Sequence, residues 1–209
     1  ASANTQAKIA SGTLSNFTSG TAISSLDGWT GASEGTQTIT VQHTDKAGNV
    51  GTVTVDINKD VTAPSISSIT LGNVTLGDNT AKITSDNSVT FTVTFSEPVY
   101  NFDASDITLN KTGTINTPDI AVSGSGSSYT VTVGGTTAIT GDGTLGITVN
   151  TSNIVDCASN ALSAPMTSGT FTIDNTPPAV YNVENNCDGS PISGYTYNQA
   201  ARITFSEGV

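Results

Sequence analysis

Apolar and polar residues alternate along several short segments of this chain. Val, Ile, Phe or Tyr alternates with Thr in VTFTVTF (89–95), YTVTV (129–133), TQTITV (36–41) and GTVTVDI (51–57). A period of two with β-branched residues is typical of strands that bury one face. We find no convincing helical period over ten or more residues. The pattern therefore predicts an all-β protein.

The chain also repeats itself. Residues 44–64 align with 155–178, because each has an acid-containing turn, a strand, an acidic cluster and a proline. FTVTFSEP (91–98) likewise matches ARITFSEG (201–208). The unit therefore runs from proline to proline. It divides the chain into the C-terminal part of a first domain (1–61), a complete domain (62–176) and the first strands of a third (177–209).

The complete unit has the size of one β-sandwich and turns rich in Gly, Asn and Asp. Its alternating segments predict strands at 65–71, 80–84, 88–96, 105–109, 113–122, 128–134, 144–150 and 169–174.

Several motifs carry a family resemblance. FSEPVYNFDASDITL (95–109), SSYTVTV (127–133), IVDCASNAL (154–162) and DNTPP (174–178), with TDKAGN (44–49), resemble the bacterial immunoglobulin-like repeats of large secreted and surface proteins. The late turn departs from the family's D-x-A-G-N pattern, since Ser159 replaces the glycine. The resemblance implies tandem antiparallel Greek-key sandwiches in a protein secreted by a bacterium or held on its surface.

Acidic and amide residues cluster at the two junctions. In an immunoglobulin-like sandwich the first strand begins at the same end as the loops joining strands B–C and F–G. Residues of those loops should therefore approach the linker, and converging oxygens are what Ca²⁺ requires. The predicted calcium ligands at the first junction are Asp56, Asn58, Asp60, Glu97, Asp103, Asp156 and Asn160. Those at the second junction are Asp174, Asn175 and Glu207.

The same residues have a simpler interpretation. Asp and Asn are ordinary turn formers, because their side chains accept hydrogen bonds from backbone amides two residues on. Turn formation alone would account for both junctions without a cation.

Charge and composition exclude several classes of function. Seventeen acidic residues oppose six basic ones, so the net charge of −11 disfavours nucleic acid and anionic lipid as partners. No long apolar run predicts membrane insertion. One His and the lack of any CxxC exclude most zinc sites and catalytic triads. We expect no disulfide between Cys157 and Cys187, since Cys157 falls at the leading end of the complete unit and Cys187 lies in the third domain, beyond its far end.

The low aromatic content, 6%, argues against a catalytic cleft, so the chain is predicted to be non-enzymatic. The leading interpretation is an extracellular stalk whose partners are neighbouring repeats of the same polypeptide. Alternatives are an adhesive module for host protein or glycan, and an accessory domain of an extracellular hydrolase. A further alternative is head-to-tail self-assembly, in which residues 177–209 of one molecule complete the sandwich begun by 1–61 of another. The simpler alternative to self-assembly is that both ends are arbitrary points in a longer repeat chain.

Overall fold

The computed structural model of the protein describes residues 4–75, 82–185 and 201–206. Two short 3₁₀ helices cover Ile23–Ser25 and Ala104–Asp106. The strands are β1 (Asn4–Ile9), β2 (Ser15–Asn16), β3 (Gly35–Thr44), β4 (Val50–Lys59), β5 (Ile66–Leu71), β6 (Ile83–Thr84), β7 (Val89–Phe95), β8 (Ile107–Lys111), β9 (Ile120–Ser125), β10 (Ser128–Val133), β11 (Gly143–Val149), β12 (Met166–Thr167), β13 (Phe171–Ile173), β14 (Val180–Asn185) and β15 (Ala201–Phe205). The prediction of an all-β protein is confirmed.

Strands β5 to β13 form a two-sheet sandwich, the middle domain. One sheet has the order β5-β7-β10-β9, and the other has β12-β11-β13-β6 with β8 also paired to β11. All pairs are antiparallel except β6 with β13. Every second residue of β7 is buried between the sheets, as its alternation predicts. Phe91 of β7 meets Phe171 of β13 edge to face, with ring centroids 5.3 Å apart.

The strand predicted at 113–122 is wrong over most of its length, because β9 begins only at Ile120. Pro118 has no amide proton to offer a strand partner. The preceding segment is held instead by the Lys111 ammonium, which donates to the carbonyls of Ile115 and Asn116 at 3.2 and 2.7 Å. The two-residue strand β12 was not predicted.

Strands β1 to β4 form a separate sheet in the order β2-β1-β3-β4, here called the N-terminal sheet. Its small core contains Ile9, Leu26 and Ile39, with Trp29 packed against it. The buried Lys59 fixes the loop above this core, since its Nζ donates to the carbonyls of Trp29 and Ala32 at 2.8 and 2.7 Å.

Strands β14 and β15 form a hairpin that repeats β5 and β7. The Ser96 amide donates to the Ser65 carbonyl at 2.8 Å, and the Ser65 amide donates to Ser96 Oγ at 3.0 Å. Ser206 and Ala179 exchange the same two bonds, at 2.9 and 3.0 Å. Over the described residues 201–206, the sequence match to 91–96 therefore corresponds to matching backbone geometry.

A candidate cation site at the first junction

The linker between Lys59 and Ile66 is held to the middle domain. Pro64 is buried and its carbonyl accepts from the Ser163 amide at 2.9 Å. The Asp60 carboxylate accepts from the Thr62 amide at 3.0 Å, which forms the turn that its sequence favours. On the other side, the Thr62 hydroxyl donates to the Glu34 carboxylate, just before β3. Both neighbouring domains thus contact this short segment.

Asp156 anchors the late turn of the middle domain, between β11 and β12. Its side chain is 2% exposed. One carboxylate oxygen accepts from the amides of Ala158 and Asn160 at 2.8 and 2.9 Å, and the other accepts from Asn160 Nδ2 at 2.8 Å. Burial alone would raise the pKa of Asp156, but these hydrogen bonds together hold it below the usual value of 3.8. The carboxylate is therefore ionised at neutral pH.

Asn160 ties that turn to the linker. The same Nδ2 that contacts Asp156 also lies 3.3 Å from the Asp60 carbonyl and 3.4 Å from the Thr62 carbonyl. Asn160 therefore acts in this geometry through its amide nitrogen, which joins turn and linker.

Three carboxylates meet beside this contact. One oxygen each from Asp60, Glu97 and Asp156 lies within 4.8 Å of the others. Burial, followed by the negative charges of Asp60, Asp156 and Glu34, raises the pKa of Glu97 above its usual 4.5. A cleft of about 340 Å³, lined among others by Glu34, Asn58 and Glu97, opens at the same place. We call the three carboxylates the junction triad.

Two of the predicted ligands are engaged elsewhere. The Asp56 carboxylate accepts from Thr38 Oγ1 at 2.7 Å, across the β3–β4 pair. Asp103 caps the second 3₁₀ helix, accepting from the Ser105 amide and hydroxyl at 2.8 and 2.6 Å, while buried Asp106 completes the capping box. Neither residue belongs to the junction triad.

Sequence reasoning missed Glu34. The signal was present, because Glu34-Gly35-Thr36 at the start of β3 matches Asp142-Gly143-Thr144 at the start of β11. Both acids accept from a threonine of the following linker, Glu34 from Thr62 and Asp142 from Thr176.

The second junction repeats the first on its described side. The Asp174 carboxylate accepts from the Thr176 amide at 3.1 Å, as Asp60 does from Thr62. Asn175 donates through its backbone amide to Asp142 at 2.6 Å, and through its side chain to the Gly141 carbonyl at 2.8 Å. Glu207 lies outside the described residues, so the prediction of a site there stays a prediction.

Cys157 is exposed in the late turn and has a free thiol. Cys187 falls outside the described residues, and the expected absence of a bond between the two is untested.

Comparison with known families decides what kind of domain carries this junction. A family model described as a bacterial Ig-like domain matches residues 60–173. The chain belongs to this family. All three residues of the junction triad lie within the matched bacterial Ig-like domain, whereas Glu34 lies before it. No curated protein matches the chain.

The family match confirms the resemblance and the immunoglobulin-like fold class. Bacterial Ig-like domains are typically non-catalytic and are usually found outside the cell or on its surface. Among the described residues, no helix has the length and apolar character needed to cross a membrane.

Proposed function

We propose that this chain is part of an extracellular stalk in which Ig-like domains are joined end to end, and that the first junction binds Ca²⁺. The chain has no catalytic role in this proposal, since its function lies in the spacing and orientation of the domains. The junction triad is the observation that supports the calcium site. The hydrogen bonds from both domains to the linker support a stiff connection between them.

Stiffness follows from the number of contacts on a short linker. The buried Pro64 fixes its own φ and restricts the residue before it. Asn160 and Ser163 of the middle domain bond to linker carbonyls, and Glu34 of the preceding sheet accepts from Thr62. A linker held from both sides resists bending between the domains.

A divalent cation would offset the electrostatic repulsion among the three carboxylates of the junction triad. Three carboxylates within 4.8 Å repel one another, and the charges of Asp60 and Asp156 add to the effect of burial in raising the pKa of Glu97. Ca²⁺ takes carboxylate and carbonyl oxygens at about 2.3–2.6 Å and accepts water for the remaining positions. Asp60 comes from the linker, whereas Glu97 and Asp156 come from two loops of the middle domain, so one ion would join separate segments.

Thermal unfolding in EGTA and in millimolar Ca²⁺ tests the cation. We expect Ca²⁺ to raise the unfolding midpoint of the native chain, since a ligand that binds only the folded state stabilises it. Glu97→Gln should abolish the shift, because it removes a ligand charge but keeps the shape. Asp56→Asn is the matched control, and its shift should equal that of the native chain. An unchanged midpoint in the native chain would refute the calcium proposal.

Small-angle scattering tests the stalk separately. An elongated particle with the same maximum dimension in EGTA and in Ca²⁺ would support a stiff stalk without a cation. A particle whose dimension in EGTA varies as expected for freely hinged domains, and is unchanged by Ca²⁺, would contradict both parts.

A further inference from the structure

The outer face of the sheet β5-β7-β10-β9 carries hydroxyl side chains in a two-dimensional grid. Successive side chains of a strand point to opposite faces of the sheet, and every outward residue of β7 is a threonine. Thr92 lies opposite Thr70 of β5 on one side and Thr130 of β10 on the other. Thr130 in turn lies opposite Ser123 of β9. We call the grid the hydroxyl face, and its members are Ser68, Thr70, Thr90, Thr92, Thr94, Ser123, Ser125, Ser128, Thr130 and Thr132.

These hydroxyls are not bonded within the protein, unlike those on the outer face of the other sheet. There, the hydroxyls of Thr112 and Thr144 bond to each other at 2.8 Å. The Thr148 hydroxyl bonds to both Asn110 and Thr167, at 2.8 and 2.9 Å. No side chain of the hydroxyl face forms a hydrogen bond within the parts of the chain that the structure describes. Its donors and acceptors are therefore available to an outside partner.

The fold does not require hydroxyls at these positions. Strands β14 and β15 repeat β5 and β7, and Glu184 and Arg202 lie opposite each other in that hairpin. They hold the positions that Thr70 and Thr92 hold in the middle domain. None of the strands β5, β7, β9 and β10 contains a charged residue, although the net charge of the chain is −11. The uncharged grid is therefore a property of this domain and not of the repeat.

The hydroxyl face lies on the flank of the middle domain. The junction triad lies at one end of the domain. Asp174 follows β13 at the other end, where the amide of Asn175 donates to Asp142. A stalk joined at these two ends leaves the flank between them accessible.

Charge and area restrict what this face can bind. A neutral face in a strongly acidic chain has nothing to offer an ionic partner, so it fits a neutral one. Four strands by three rows of side chains cover only about 400 Å², roughly half of the 800 Å² or so that each partner contributes to a stable protein interface. The outward residues include no aromatic ring on which a sugar could stack. A neutral partner with closely spaced hydrogen-bonding groups remains, and ordered water is such a partner.

The spacing of the grid matches a water lattice. Neighbouring strands lie about 4.7–4.9 Å apart, and outward residues of one strand lie about 6.8 Å apart. These repeats are close to those of the oxygen atoms on the faces of an ice crystal. Threonine is stiff about χ1, so its hydroxyl and methyl groups lose little freedom on binding. Neighbouring strands are rotated by about 20–25°, so the match is best over the central pair β7 and β10.

We propose that the hydroxyl face binds the surface of ice, with the threonines of β7 and β10 at its centre. Each threonine hydroxyl takes the place of a water molecule in the outermost layer of the lattice, where it donates one hydrogen bond and accepts another. The methyl groups fill the hollows between those water molecules. A bound chain blocks further growth of the crystal beneath it. This activity is independent of the calcium site at the first junction.

The test has two measurements on the 209-residue chain, with reductant present because Cys157 is exposed. One is inhibition of ice recrystallisation, and the other is partition of the chain into ice that grows slowly from a stirred solution. We expect the native chain to slow recrystallisation and to be enriched in the ice, from which proteins that do not bind it are excluded. Thr92→Tyr/Thr130→Tyr places two bulky rings on the hydroxyl face and should lose both activities. Thr172→Tyr, at an outward threonine of β13 in the other sheet, is the matched control and should act as the native chain does.

A single variant keeps the test decisive if the double variant does not fold. Thr132→Tyr changes one outward residue at the other end of β10 and should also lose both activities. Tyrosine is favoured in strands, and thermal melts followed by circular dichroism check that each variant folds. A native chain that is excluded from ice and leaves recrystallisation unchanged would overturn the proposal. So would full activity in either variant of the hydroxyl face in its folded form.

Discussion

Two turns with the same hydrogen bonds lie in different surroundings. Asp45 accepts from the amides of Ala47 and Asn49 at 2.8 and 2.9 Å and from Asn49 Nδ2 at 2.9 Å. Asp156 accepts the corresponding three bonds from Ala158 and Asn160 at 2.8, 2.9 and 2.8 Å. The Asp45 turn is exposed, whereas Asp156 is buried and its Asn160 reaches the linker.

The difference separates the hydrogen bonds within the turn from the contacts that the turn makes at a domain junction. The shared bonds show that Asp-x-Ala-x-Asn forms a self-sufficient turn, which agrees with the simpler interpretation of the motif. Only where a linker and Glu97 stand beside the turn do three carboxylates meet. The motif therefore predicts a turn, and the junction decides whether the turn contributes to a site.

The largest effect should come from the two aspartates. Asp156→Ala removes the buried acceptor of the Ala158 and Asn160 amides and of the Asn160 side chain, and we expect a loss of about 2–3 kcal/mol. Asp45→Ala should cost less, because water replaces the lost acceptor. Chemical denaturation measures both losses. Near-UV circular dichroism, to which Tyr100 and Tyr129 of the middle domain contribute, follows the loss in Asp156→Ala, and fluorescence of Trp29, the single tryptophan, follows the loss in Asp45→Ala.

Equal losses for the two aspartate variants would contradict the comparison. They would mean that burial at the junction adds nothing to the turn.

The next largest effect is the difference in stability between Asn160→Ala and Asn49→Ala. Asn160→Ala removes the contacts to the Asp60 and Thr62 carbonyls as well as the turn bond, with an expected loss of about 1–2 kcal/mol. Asn49→Ala removes only the turn bond. Residual dipolar couplings should show increased motion between the N-terminal sheet and the middle domain in Asn160→Ala alone. Equal couplings in both variants would show that Asn160 does not restrain the linker.

A pH titration should separate the triad from the turn. The raised pKa of Glu97 means that its charged form destabilises the fold, so metal-free stability should rise slightly as pH falls through that pKa toward 4.5. The contribution of Asp156 has the opposite sign and is lost only as pH falls below 3.8, through its lowered pKa. Glu97→Gln should remove the first change and keep the second.

Unfolding midpoints in EGTA across this range, for the native chain and for Glu97→Gln, provide the measurement. Identical profiles would show that the pKa of Glu97 is not raised in the folded chain.

The smallest expected effect concerns the two linker threonines. Thr62→Val and Thr176→Val each remove one hydroxyl bond to an acid, Glu34 or Asp142, at an expected cost under about 1 kcal/mol. Similar melting shifts in the two variants would show that the preceding domain holds both linkers alike. A shift in only one variant would show that the two hydroxyl bonds, although alike in geometry, do not contribute equally to stability.

Sequence reasoning predicted the fold well, because alternation in β7 and β10 states directly which face is buried. It failed at 113–122, where Pro118 and the Lys111 ammonium override a β-rich composition. At the junction it selected Asp60, Glu97 and Asp156 from topology alone. It also included Asp56 and Asp103, since sequence does not show that a cross-strand threonine and a helix cap already engage them. Glu34 was missed because its partner Thr62 is 28 residues away.

The placement of the two linkers at opposite ends of the middle domain also has a mechanical consequence. Tension between Pro64 and Asp174 pulls β5 along its own axis against β7, and β13 along its axis against β11. The backbone bonds between antiparallel strands run across that direction, so they resist in parallel and do not open one at a time. A domain pulled in this way shears before it unzips, which would suit the proposed stalk under tension.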